Sequence, residues 1–226
     1  MSKPIRIALV GASGLIGSRL IALAVDRPDL RIVAIARREL ALPKGAKMEV
    51  LVADPEGWGD AIAAARADVL VCALGTTWRK SGKDEEAFRA VDQHLVLACA
   101  KAAKDAGIRQ TIVVSSVGAD MAAKNFYLRV KGEVEQALAK LHPTRLDIIR
   151  PGLLRGPRAE RRPAEALAQL ASPFADLFLH GQYSKYRSLS ADTVAKAIVG
   201  LAHEKAAGRF VHEHDAIVRA ARKAGD

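Results

Sequence analysis

The chain has 226 residues, 50% of them hydrophobic and 27% charged, which gives length enough for a sizeable core and excludes global disorder. Aromatics make up only 4%, so the core is mostly Ala, Val, Leu and Ile, a composition that suits helices on a sheet better than a β-sandwich. The net charge of +10 points to an anionic partner: a phosphorylated cofactor, nucleic acid or an anionic membrane.

Residues 5–10 form a β-branched run that ends at a glycine and predict a buried strand. Helical spacing follows over 15–25. A second strand is predicted at 31–37, a weaker third at 48–52, a helix at 58–66 and another buried strand at 69–74. Residues 85–106 read as one long helix closed by Gly107. A strand at 111–115, a helix at 122–140 stopped by His142-Pro143 and a strand at 146–150 stopped by Pro151-Gly152 continue the alternation. The strands are continuous apolar runs. The fold class is therefore α/β, a doubly wound parallel sheet covered on both faces.

Residues 155–163 are rich in Arg, Gly and Pro and read as a loop. Ser190 is placed to cap a helix over 190–204, followed by a strand at 209–212 and a last helix to 221. This region is too short for a substrate domain of its own. It is expected to form a small cap, at about 152–190, on the C-terminal edge of the sheet, within one domain spanning 1–226.

The N-terminal apolar stretch is too short for a secretory signal, and no apolar run reaches the roughly 18 residues of a membrane span. A cytoplasmic location is expected. Cys72 and Cys99 lack CxxC spacing and read as buried thiols. His203, His212 and His214 have no carboxylate or cysteine pattern beside them, so surface histidines and no metal are expected. Arg155, Arg158, Arg161 and Arg162 lack interleaved aromatics, so nucleic acid is not the expected partner.

The segment Gly11, Ala12, Ser13, Gly14, Leu15, Ile16, Gly17 joins the first strand to the first helix in a GxxGxxG pattern. Gly11 permits a tight turn, Gly14 lets backbone approach a pyrophosphate, and Gly17 lets helix and strand pack closely. An acid about 20 residues further on would bind the ribose of NAD. Arg37 and Arg38 stand there instead and suit the 2′-phosphate of NADP(H), unless they are solvated surface arginines. Tyr127 and Lys131 are spaced i, i+4 on one helix face, where an ammonium lowers the pKa of a phenol and equips it for proton transfer. Ser115 and Ser116 end the preceding strand, near the coenzyme crevice. Asp92 lies mid-helix and reads as structural more readily than catalytic. The loop 76–83, with Trp78, either covers the coenzyme phosphates, grips an anionic substrate, or is an exposed loop with Trp78 packed on the cap.

GASGLIG at 11–17, ALGTT at 73–77, VD at 91–92, SSVGAD at 115–120, FYLRVKGEVE at 126–135 and RPG at 150–152 occur in the order found in atypical short-chain dehydrogenase/reductases, and the sequence resembles that family. The resemblance implies a Rossmann-like domain. It implies Tyr127 as catalytic acid/base, Lys131 as its partner, and Ser116, or Ser115 instead, as the substrate-orienting serine. It also implies that Leu74, Gly75 and Thr76 run beside the adenosine and pyrophosphate, and that Pro151, Gly152, Leu153 and Leu154 meet the nicotinamide end. Leu-Gly-Thr replaces the family's Asn-Ala-Gly element, and no tetrad asparagine is identifiable. The expected activity is NADP(H)-dependent oxidoreduction of a small carbonyl or alcohol. The alternatives are an NADPH-binding regulatory protein with little turnover and a nucleotide-sugar epimerase or dehydratase. A homodimer or a regulatory protein partner fits the family; the substrate stays unidentified.

Overall fold

A computed structural model describes residues 3–79, 81–156 and 185–225. The chain enters the sheet through β1 (Ile5–Val10) and returns across one face in α1 (Leu15–Ala24). It continues through β2 (Leu30–Ala36), β3 (Glu49–Val52), α2 (Trp58–Ala64) and β4 (Val69–Cys72). Then come α3 (Glu85–Arg89), α4 (Val96–Asp105), β5 (Gln110–Val114), α5 (Phe126–Lys140) and β6 (Arg145–Ile149). A two-residue ladder joins β7 (Leu154–Arg155) to β8 (Leu189–Ser190), and α6 (Ala191–Ala202), β9 (Gly208–His212) and α7 (His214–Lys223) follow. The main sheet is parallel throughout, in the order β3-β2-β1-β4-β5-β6-β9.

Alternate residues of each strand feed different cores. Ile7 and Leu9 pack with α1, α6 and α7, while Ala8 and Val10 pack with α2, α4 and α5. Both faces are covered, which is why the strands read as unbroken apolar runs. Leu9, Leu20, Leu70 and Ile112 are fully enclosed, and burying such a side chain contributes about 1.5–3 kcal/mol. Cys72 and Cys99 are buried free thiols, as expected.

Two expectations need correction. The helix expected at 122–140 starts only at Phe126. The Asp120 carboxylate accepts the Ala122 N–H at 2.8 Å, and the Asn125 side chain accepts the Leu128 N–H at 3.2 Å. Short polar side chains thus hold 120–125 in turns. The long helix at 85–106 is interrupted by a π-helical stretch at Ala90–Leu95. The elements that follow the expected cap complete the main sheet: β9 pairs with β6 as its edge, and α6 packs on both α1 and α7. Most of the region expected to cap the sheet, with Arg158, Arg161 and Arg162, lies outside the described residues. Among the described residues, no helix is long and apolar enough to cross a membrane.

Candidate active site

The strand order reverses beside β1, with β2 on one flank and β4 on the other. Doubly wound sheets hold ligands in the crevice at that point, beyond the C-terminal strand ends. The 11–17 segment sits there. Gly11 has φ +85°, and a Cβ on it would lie 2.5 Å from the Ala73 carbonyl carbon. Glycine therefore lets the chain leaving β1 touch the chain leaving β4. Gly14 is the N-cap of α1, and the first turn of that helix has neither a side-chain cap nor an acid. Its N–H donors and positive dipole end are left to a ligand. Ala12 and Ile16 are buried under the loop, whereas Ser13 is exposed and Leu15 half-buried.

Gly17 backs onto the Gly11 carbonyl oxygen, which a Cβ would strike. Gly17→Ala is expected to push the loop out of shape, lowering stability by about 1–3 kcal/mol and weakening coenzyme affinity at least tenfold. Calorimetry and a fluorescence titration test this. An unchanged affinity in the folded variant would contradict it.

Arg37 and Arg38 follow β2 and are both exposed; neither is held by a carboxylate among the described residues. Leu74, Gly75 and Thr76 leave β4 on the other side of β1. Gly156, past β7, brings its backbone against Leu15, so the chain after β6 folds back over the loop. Beside it, the Nε of Arg155 is enclosed without a hydrogen-bond partner among the described residues. Pro151 is buried and its carbonyl accepts the Val117 N–H at 3.0 Å, which ties the chain after β6 to the chain after β5. Gly152 backs onto the Tyr186–Arg187 backbone, and Leu153 is exposed.

Tyr127, Lys131 and Glu135 form one stripe on α5. Tyr127 is half-buried with its ring 5.9 Å from that of Phe88, in edge geometry. Lys131 is 5% exposed, and its Nζ lies 5.9 Å from the centre of the Tyr127 ring. Burial opposes the charge on Lys131, but the attraction of the Asp92 carboxylate and, in its ionised form, of the Tyr127 phenol outweighs it and holds its pKa above the ordinary ammonium value. Asp92 Oδ1 is 2.8 Å from Nζ.

The two serines are distinct. Ser115 is buried and donates its hydroxyl to Glu135 at 2.5 Å. The same carboxylate is gripped by Arg150, through Nε at 2.9 Å and Nη2 at 2.5 Å. Ser116 is half-buried and makes only a long 3.4 Å contact to the Val117 carbonyl.

Sequence reasoning missed Glu135 and Arg150 as partners. The i, i+8 spacing of Tyr127 and Glu135 was the available signal. Trp78 packs against Phe126 at 5.2 Å and Phe88 at 6.4 Å. His212 is no surface histidine: it is half-buried against Asp147. No group of three or more metal-ligating side chains occurs among the described residues.

A protein-family model described as NAD(P)H-binding matches residues 11–205. The mitochondrial protein fmp52 of Emericella nidulans is 32% identical over 202 residues, covering 85% of each chain. The mitochondrial FMP52 of Candida albicans is 34% identical over 157 residues, covering 67% of this chain and 68% of that one. Among solved structures, the UDP-N-acetylglucosamine 4-epimerase of Methanobrevibacter ruminantium aligns with a TM-score of 0.70 at 17% identity, over 94% of this chain and 77% of its own. The Bordetella bronchiseptica enzyme WbmH, solved with NAD+, aligns with a TM-score of 0.69 at 15% identity, over 92% and 75%. At such identities the likeness is one of fold.

The mitochondrial names of the fungal relatives overturn the cytoplasmic expectation. That expectation rested on a missing secretory h-region and a missing apolar span. Neither feature bears on a mitochondrial address, which is read from amphipathic, Arg-rich sequence. The model match and the fungal relatives, taken with the parallel sheet and its glycine loop, establish that the chain belongs to the NAD(P)H-binding family, as an atypical short-chain dehydrogenase/reductase.

Proposed function

We propose that the protein is an NADP(H)-dependent oxidoreductase acting on a small carbonyl or alcohol. The observation that carries the reading is Lys131, a buried ammonium set against the Tyr127 ring on the helix beside the coenzyme crevice. A charge withheld from water at that place costs stability and is retained for its effect on a neighbour.

The residues fit the coenzyme. A bare helix N-terminus and the Gly11–Gly17 turn suit its pyrophosphate, and Arg37 and Arg38, unpaired among the described residues, suit a 2′-phosphate. Leu74, Gly75 and Thr76 line the adenosine side, and Pro151, Gly152, Leu153 and Leu154 the nicotinamide side. When bound, the coenzyme supplies or accepts the hydride. Tyr127 gives its phenolic proton to the carbonyl oxygen in the direction of reduction and takes it back in oxidation. Lys131 stabilises the phenolate that is left. Ser116 holds the carbonyl oxygen, a role that its half-buried, loosely bonded hydroxyl suits better than the Ser115 hydroxyl committed to Glu135.

Titration of intrinsic fluorescence with NADPH and NADH tests the coenzyme reading. NADPH is expected to bind about 10–100-fold more tightly, the worth of one or two charge-assisted hydrogen bonds. The Arg37→Ala/Arg38→Ala variant is expected to lose that margin. Tighter binding of NADH than of NADPH would refute the NADP(H) assignment. NADPH binding with no hydride transfer across a panel of aldehydes and ketones would refute the oxidoreductase and favour a regulatory protein.

A further inference from the structure

Asp92 is 1% exposed and lies in the π-helical stretch at Ala90–Leu95. Single π-helical turns recur at functional sites, because they break the regular spacing of the side chains around them. The two oxygens of Asp92 face different parts of the crevice. Oδ2 accepts the backbone N–H of Thr76 at 2.6 Å. Oδ1 lies 2.8 Å from Lys131 Nζ. No other donor reaches that oxygen among the described residues. Lys131 thus has its charge balanced by the Asp92 carboxylate.

Among the described residues, the charged and titratable groups facing Lys131 are few. Tyr127 faces it from its own helix, Asp92 from the helix packed against it, and Cys72 from the end of β4. Burial pushes the Cys72 thiol up to about 11, so it carries no charge at neutral pH. Asp92 is the carboxylate of the group. An ammonium enclosed without a counter-ion sheds its proton.

We infer that Asp92 is a positioning residue of this site: it keeps Lys131 charged beside Tyr127 and ties that charge to the 74–76 segment on the coenzyme side. The inference rests on the reading of Tyr127 and Lys131 as the acid/base pair. It assigns to a carboxylate side chain the placing of the lysine, in a chain where no tetrad asparagine is identifiable.

The test follows Lys131 itself. Lysine is labelled with 13C at Cε in the full-length protein, and the Lys131 signal is identified by its loss in Lys131→Met. The wild-type signal is expected to keep its ammonium shift to about pH 10. In Asp92→Asn its titration midpoint is expected to fall by about 2 units or more, and kcat with it, while the midpoint of the exposed lysines stays put. A shift of the Lys131 midpoint below about half a unit in folded Asp92→Asn would overturn the assignment. The measurement needs neither coenzyme nor substrate, so a protein that fails to bind NADPH would count against the proposed activity and leave this result standing. If Asp92→Asn does not fold, Asp92→Asn/Lys131→Met decides. The double variant is expected to fold, since it leaves no lone buried charge. Failure of both would make Asp92 a structural residue only.

Discussion

Tyr127→Phe is expected to lower turnover by about 10²–10⁴-fold, the usual worth of a positioned general acid, and to leave the Kd for NADPH within about twofold. The phenol ring does the packing. Its edge contact with Phe88 and its place beneath the Lys131 ammonium do not involve the hydroxyl. Phenylalanine keeps both, so the fold and the coenzyme crevice survive and the loss falls on the proton transfer. The expected split is a collapse of kcat with coenzyme affinity kept, read by stopped-flow NADPH oxidation and by fluorescence titration on one preparation. Ser116→Ala is the companion variant, with a smaller loss of kcat. Ser115→Ala would instead cost stability, because Glu135 loses a buried donor. Turnover by Tyr127→Phe at more than a tenth of the wild-type rate would sink the acid/base assignment.

The parts of this site that local sequence made legible are those built from neighbours in the chain. The β1 run, the turn at Gly11 and the first helix follow within a few residues of one another, and periodicity with glycine spacing reads them directly. Tyr127 and Lys131 are legible for the same reason, one helical turn apart. Asp92 and Glu135 are not, because what makes each buried charge tolerable comes from a distant element. Lys131 meets Asp92 across 39 residues of chain and Arg150 meets Glu135 across 15. In the sequence Glu135 looks like part of a solvated helix face, and Asp92, though read as structural, carries no sign of the lysine it meets. The place of β9 is illegible in the same way. Its apolar run predicts a strand, but the edge it joins is set by the Asp147–His212 pairing and by the packing of α6 on α1. Two-residue ladders such as β7–β8 carry no periodicity at all.

The second large effect lies away from the chemistry. Asp147 on β6 is fully buried and accepts four hydrogen bonds. Arg145 Nη2 and His212 Nε2 donate to Oδ1, both at 2.8 Å; Arg145 Nε at 2.7 Å and Gln110 Nε2 at 2.8 Å donate to Oδ2. Gln110 also reaches the Leu201 carbonyl at 2.9 Å and Arg145 the Ala206 carbonyl at 2.8 Å, with the guanidinium 4.3 Å above the Phe210 ring. One carboxylate therefore joins β5, β6, β9 and the chain around α6. Burial opposes its ionisation, but the bonds from His212, Arg145 and Gln110 outweigh it and hold its pKa below the ordinary carboxylate value.

Asp147→Ala removes the counter-ion of a buried guanidinium and opens the seam where β9 joins the sheet. The expected cost is about 3–5 kcal/mol, a fall in Tm of about 10 °C for a chain of this size. The pH dependence has a definite sign. The folded carboxylate has the lower pKa, so its contribution is present above the unfolded value of about 3.9 and is lost as pH falls through the folded value. Wild type and Asp147→Ala should therefore differ most near neutrality and converge on acidification. Coenzyme affinity should not change, because Asp147 stands inside the sheet while the Gly11 turn and α1 N-terminus lie beyond the C-terminal ends of the strands. Denaturant melts at pH 7 and pH 3, with an NADPH titration alongside, separate these effects. A Tm within about 2 °C of wild type at pH 7 would mean that the network adds specificity to the β6–β9 pairing rather than stability.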